Sequence, residues 1–493
     1  MRISSRLSAL AAALFVFACG YQHAPVRRIV EINPRGKANL PGQDKNLTRE
    51  EYQGHLDSVL RIDDARGDTV KLAIFIHGGL NTLNSSEKRA EGLLKDFRED
   101  GYQPIFIHWR SGFFTTYREH LFNHRQGEHW NFWGPVGFPF VLVADMGRSV
   151  FRLPLFISYQ TSSYLKAVDA DKLLTPLTGG IFRFPGEKNA ETISHHLLHD
   201  SLVDYAVGYD HRSGWRKGFQ TLTSGVCLGL SLVTSPLFDG MGTPAWEVMK
   251  RRTELLMYTS YPIHDFASVD DYERQKEGAL SLFMERLTQT IDSLKAAGKT
   301  VHPILIGHSM GAIVSNHILS GWPEINFDKV IFMGAACTIK DFQQSVLPYL
   351  RDHPRTQFYN YTLHPKAEAL ESHGFGFGGS GSLLIQIDNL YERPISENTR
   401  VLGKWQNLMN GIEFLKEDST ARQIHLVTLP FDNAYPTRHG DFNKRMPKWN
   451  RYWRDDFVVP DGDFRVGKAR LDREKHPAPV ATIPLAAEDG KAP

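Results

Sequence analysis

The stretch Val301-His302-Pro303-Ile304-Leu305-Ile306-Gly307-His308-Ser309-Met310-Gly311 sets a serine between glycines two residues before and two after it. A short apolar run leads into it, and Ala312 to Leu319 follow with apolar residues at helical spacing. A strand turning sharply into a helix pushes a serine hydroxyl out over a sheet. The serine is then strained, and glycine is needed wherever a Cβ would collide. At the helix N-terminus, backbone N–H groups and the positive dipole end stabilise a developing oxyanion. The chemistry predicted is nucleophilic attack by Ser309. A serine hydroxyl is a weak nucleophile at neutral pH, so a base, an orienting acid and oxyanion donors must come from elsewhere in the chain.

Other chemistry-bearing residues lead nowhere comparable. His195, His196, His199 and Asp200 offer only i, i+3 and i, i+4 pairs on one helix face, and no cysteine or acidic motif completes a site. No metal is predicted. His77-Gly78-Gly79 lacks a following Lys-Ser/Thr, so no nucleotide is expected, and no cofactor. The formal net charge of +2 is accounted for by Arg2 and Arg6, which leaves no basic field for nucleic acid.

The positioning elements read as alternating strands and helices. Leu72-Ala73-Ile74-Phe75-Ile76 suits a strand buried on both faces. Asn84-Ser85-Ser86-Glu87 offers a capping box, and Ala90, Leu93, Leu94 and Phe97 form a helical face ending near Gly101. Pro104 to His108 supplies the next strand, completing a βαβ unit. The alternation breaks off over residues 111–270. It resumes with a helix carrying Leu280, Phe283, Met284, Leu287, Ile291 and Leu294, ending at Gly298. After the Ser309 strand come strands at Val330 to Met333, Phe358 to Leu363 and Ile424 to Leu429. The fold class expected is α/β, a mostly parallel central sheet with helices on both faces. At 493 residues, 41% hydrophobic and 23% charged, the chain is long enough for one large core or two.

The order strand–HGG, strand, strand–GxSxG over roughly residues 68–110 and 275–445 resembles the α/β-hydrolase superfamily, its lipase and esterase branch. The resemblance implies an α/β-hydrolase core over 56–110 and 271–469; it does not reach 111–270, which is read as a large apolar and aromatic cap or lid insert between the fourth and fifth core strands. It also implies a triad in the order Ser, acid, His. The base is then His439 in Pro436-Thr437-Arg438-His439-Gly440-Asp441-Phe442, after the last strand. For the acid, Glu368 stands just beyond the next-to-last strand, with Asp388 as rival and Asp341 third. The oxyanion donors implied are Met310 N–H and the loop of Gly78, Gly79 and Leu80. Carboxylic esters, lipid or acyl esters first, are the substrates implied, cleaved through an acyl-enzyme on Ser309. A phospholipase or acyltransferase would use the same residues, and a non-catalytic binding module of the same fold is the reading from another class.

Residues 1–18, with Arg2, Arg6 and the apolar run Leu7 to Ala18, resemble a signal peptide. Val16-Phe17-Ala18-Cys19-Gly20 resembles a bacterial lipobox. It implies acylation of Cys19, export, attachment to the outer membrane or a periplasm-facing surface, and a tether over 19–55. Cys227 and Cys337 remain, too few for a disulfide framework. Trp130, Phe132, Trp133, Phe138 and Phe140 make the interruption aromatic, and Phe219 to Phe238 contains no charge. This segment is read as lid or acyl-pocket wall rather than a membrane span. Residues 470–493 lack apolar periodicity and read as a disordered tail.

Overall fold

Leu72, Ile74 and Ile76 enter one apolar core, and Ala73 and Phe75 between them enter another. Such a strand is stable only in the middle of a sheet covered on both faces, and the chain builds that sheet around it. The computed structural model describes residues 28–466 except 42, 44, 63–66, 80–82, 123, 126–127, 130–133, 168–202, 259–277, 372–380, 393, 416–417 and 458–463.

The first half runs β1 (Ile29–Ile32), β2 (Ala38–Asn39), α1 (Arg49–Val59), β3 (Thr69–Ile76), α2 (Leu83–Glu99) and β4 (Tyr102–Trp109). Then come α3 (Phe113–Phe122), a small hairpin of β5 (His124–Arg125) and β6 (Glu128–His129), α4 (Gly134–Phe151) and α5 (Leu153–Ala167). β7 (Asp204–Gly208) and the long α6 (Gly214–Leu255) follow. The second half holds α7 (Ala279–Ala296), β8 (Thr300–His308), α8 (Gly311–Gly321) and β9 (Lys329–Met333). It closes with β10 (Gln357–Thr362), the short α9 (Pro365–Leu370), β11 (Ile424–Thr428) and β12 (Phe464–Val466).

Ten strands form one sheet in the order β12-β7-β11-β10-β9-β8-β3-β4-β1-β2. The eight inner strands are parallel; β2 and β12 run antiparallel at the edges. α7 and α8 bury Leu280, Phe283, Leu287, Val314 and Ile318 against one face. Ala90, Leu93 and Phe97 of α2 cover the other, together with Trp449 and Trp453. The expected α/β class with a mostly parallel sheet is the architecture found. β8, which leads to Ser309, lies between β3 and β9 in the interior of the sheet.

Three boundaries differ from the sequence reading. The stretch 19–55 is not a tether throughout: Ile29, Val30 and Ile32 are fully buried, and β1 pairs in parallel with Phe106 to Trp109. Arg28 secures the start of β1 by donating to the Val59 and Arg61 carbonyls. Four residues are too few to show a period, so only this long-range pairing reveals the strand. Residues 111–270 are likewise not all insertion, because β7 pairs in parallel with β11 at the far side of the sheet, Leu426 opposite Tyr205. Finally, Asn84 to Glu87 lie inside α2, which begins at Leu83, rather than capping it.

Candidate active site

Ser309 has φ 54°, one of two non-glycine residues with positive φ among those described. This conformation costs an L-residue about 1–3 kcal/mol and persists only where surrounding structure imposes it. Here the Ser309 N–H donates to the Met333 carbonyl (2.9 Å), and Ala336 N–H donates to the Ser309 carbonyl (3.0 Å). The glycines follow from the same crowding. A Cβ on Gly311 would lie 2.3 Å from the Ile76 carbonyl oxygen, and one on Gly307 2.8 Å from Ser315 Oγ. Ser309 is 1% exposed, and its Oγ is a buried hydroxyl with no hydrogen-bond partner. A buried hydroxyl left unsatisfied is unfavourable and rare in native folds.

His439 opens a helical turn (His439–Asn443) beyond β11. Its ring packs on Gly334, where a Cβ would lie 3.0 Å from both Cε1 and Nδ1. Gly334 directly follows Met333, whose carbonyl holds the Ser309 N–H. The His439 ring is thus placed at the C-terminal end of β9, one residue from the carbonyl that holds the Ser309 turn. The His439 backbone is held at both ends. Its N–H donates to Glu371 Oε2 (2.9 Å), and its carbonyl accepts from His308 Nε2 (3.1 Å). Asn443 Nδ2 donates to His308 Nδ1 (2.8 Å), which fixes the His308 tautomer with its proton on Nε2. Burial pushes His308 well below the usual histidine range, so it stays neutral.

The carboxylate found at His439 is not the one expected from the sequence. Glu368 on α9 is buried, but its carboxyl feels Lys404 as its counter-charge, and Oε1 has no hydrogen-bond partner. Burial raises it to about 8. Glu371, three residues later at the end of α9, is the carboxylate that accepts the His439 backbone N–H. Burial raises Glu371 to about 7, against the lowering effect of the His439 N–H bond. The sequence reading passed over Glu371 although the two glutamates occupy the same post-strand segment. Asp388 is corrected to a structural role, because Arg400, Lys404, Asn407 and the Val401 N–H surround it at 2.7–3.0 Å. Those partners hold its carboxyl below the usual range despite burial. Asp341 is also structural: it forms a capping box with Thr338.

The glycine loop after β3 meets the Ser309 turn. A Cβ on Gly78 would lie 2.6 Å from Ser309 Cβ, and one on Gly79 2.6 Å from Met310 Sδ. Met249 Sδ of α6 stands 3.7 Å from the same Gly79 position, giving the loop an apolar neighbour from the interrupting helices. His77 locks the loop. Its Nδ1 donates to the Gly78 carbonyl (2.6 Å), its Nε2 accepts from Trp109 N–H (3.1 Å), and its ring stacks on Trp109. Burial lowers His77 to about 4, so it is neutral at pH 7 and suits this pair of roles. Leu80, the acylation candidate Cys19 and the His195, His196, His199, Asp200 group lie outside the described residues. Cys337 is a buried free thiol.

Comparisons with protein-family models, characterised proteins and solved structures find no match to this chain.

Proposed function

We propose that the protein is a serine hydrolase of the α/β-hydrolase type, acting on carboxylic esters. The observation that carries this reading is Ser309: a strained serine with a buried, unpartnered hydroxyl, packed against Gly78. Supporting it, the base follows the last inner strand added along the chain and the acid follows the one before, in the order Ser, acid, His. In the proposed reaction His439 takes the Ser309 proton as Oγ attacks the carbonyl carbon. The oxyanion is held by Met310 N–H and by the Gly78–Gly79 backbone, and Glu371, through its bond to the His439 backbone N–H, holds the loop that carries the imidazole while its charge favours the imidazolium. Collapse of the intermediate breaks the ester C–O bond, and His439 returns the proton to the departing alcohol. Water activated by His439 then releases the acid. The apolar neighbours Met249 and Met310 favour acyl or lipid esters as substrates. From residues 1–20 we also infer export and anchoring through acylated Cys19.

A fluorophosphonate probe tests the chemistry. Wild type should be labelled covalently and Ser309→Ala should not. A folded wild type that stays unlabelled would refute the proposal.

A further inference from the structure

Two of the helices after β4, α4 and the first part of α6, expose rows of apolar side chains. The buried side of α4 carries Asp145 and Ser149 as well as Val141. Asp145 is held there by Tyr117, His120 and Arg148. Outward point Val136, Phe140, Val143 and Val150, at steps of four, three and seven, with Phe151 89% exposed beside them. α6 repeats the pattern. Trp215, Phe219, Leu222, Val226, Val233 and Leu237 are all exposed at steps of three, four and seven. Within 214–238 no side chain that is described is buried. Where α6 first becomes buried, Asp239 and Thr243 meet Arg152 in a polar cluster, before Ala245, Trp246 and Met249 enter the core. A surface helix in water turns its polar side out. Exposed apolar stripes over buried, paired charges are the arrangement of protein facing an apolar medium.

Two observations identify that medium. Leu155 and Ile157 of α5 are exposed too, so apolar groups project from three helices rather than along the single seam a partner helix would fill. The charges also lean one way: 134–167 and 214–239 hold Arg148, Arg152, Lys166, Arg216 and Lys217 against Asp145 and Asp239, the second of which pairs with Arg152. Arg216 and Lys217 are exposed directly beside Trp215, although Lys217 also lies 3.6 Å from Asp210. Aromatic and basic residues together at the end of an apolar stripe match the headgroup level of a bilayer. Among the described residues no helix is long and apolar enough to cross a membrane.

We propose that the outward side of α4 and α6 is a lipid-binding surface, lying on a bilayer that carries anionic headgroups. Val136, Phe140, Val143, Phe219 and Val233 enter the acyl region while Arg216 and Lys217 contact the headgroups. The inference stands apart from the hydrolase reading.

The test uses the full chain with Cys19→Ser, which has no acylation site, in flotation with phosphatidylglycerol/phosphatidylcholine vesicles. This parent should float, and should bind phosphatidylcholine alone about tenfold more weakly. Phe140→Ser, Val143→Ser, Phe219→Ser and Val233→Ser combined should reduce binding by at least about tenfold. Because all four side chains are exposed, thermal melting should be unchanged. If the combined variant melts early, quenching of Trp215 fluorescence by brominated lipids reads the same contact. The quenching should be lost in Trp215→Phe. A parent that does not float overturns the proposal, as does a combined variant that floats equally or quenching identical in Trp215→Phe. So does a parent dimer that the four substitutions dissociate, since a second copy would then cover the face. Equal binding to both lipid compositions overturns the anionic part. Fluorophosphonate labelling of the same proteins reports separately on Ser309.

Discussion

His439 owes its placement to bonds on its backbone, made by Glu371 at its N–H and His308 at its carbonyl. His308 sits directly before the nucleophile, so one side chain ties the Ser309 turn to the base-bearing loop. Replacing it with phenylalanine keeps a ring but removes the Nε2 donor and strands a buried carbonyl. We expect His308→Phe to slow fluorophosphonate labelling about tenfold to a hundredfold, the scale of a misplaced base. Glu371→Gln should slow it by about a hundredfold or more, and Glu368→Gln by far less. The pH profile gives a second check. Glu371 acts ionised and sits at about 7, so labelling should fall as pH drops through neutrality, and Glu371→Gln should alter that limb. Equal losses in the two glutamate variants would remove Glu371 from its role. Ser309 and His439 were legible because each stands at a fixed place relative to a strong strand. The carboxylate bonded to His439 was not, because Glu368 and Glu371 lie three residues apart at the end of α9. Glu371 is where α9 gives way to extended backbone, and no local pattern specifies which residue that turning point brings to His439.

At the scale of elements, the turn depends on how closely α8 approaches β3. Gly311 opens α8 against the Ile76 carbonyl, 2.3 Å from where a Cβ would be, and both sides of that contact are backbone. Gly311→Ala must therefore move helix from strand. A loss of roughly 1–3 kcal/mol in denaturant unfolding is expected, together with loss of labelling. Gly54→Ala is the matched control. Gly54 lies within α1 with nothing within 4 Å of a Cβ, so alanine should leave stability unchanged or raise it by about 0.4–1 kcal/mol. If the two behave alike, close packing is not what the Gly311 position requires. The same contrast explains which elements the sequence displayed. Long apolar runs such as that in β3, and the α7 face at Leu280 to Ile291, carry their own signal. β1 and β7, of four and five residues, are strands only because β4 and β11 pair with them. Their partners lie far away in sequence, so the breadth of the sheet was hidden while its class was plain.

For the molecule as a whole, the site's chemistry is bought with interior charge. Glu368, Glu371, Lys404 and Asp388 are all buried behind the site, and the two glutamates are raised to about 8 and about 7 from 4.5. A carboxyl that ionises less readily when folded holds a proton that the unfolded chain releases between pH 4.5 and its folded value. Stability must then decline as pH climbs through that window and level off above it. Glu368 has the wider window, and its Oε1 has no hydrogen-bond partner to offset burial of the charge. Its share of the decline between pH 5 and 8.5 should be on the order of a few kcal/mol. Glu368→Gln keeps the shape but cannot ionise. Its urea midpoint should therefore fall much less than that of wild type between pH 5 and pH 8.5, and should exceed wild type at the alkaline end. If the two midpoints track each other across that range, Glu368 is not a source of alkaline destabilisation, and Lys404 keeps it ionised as it does Asp388.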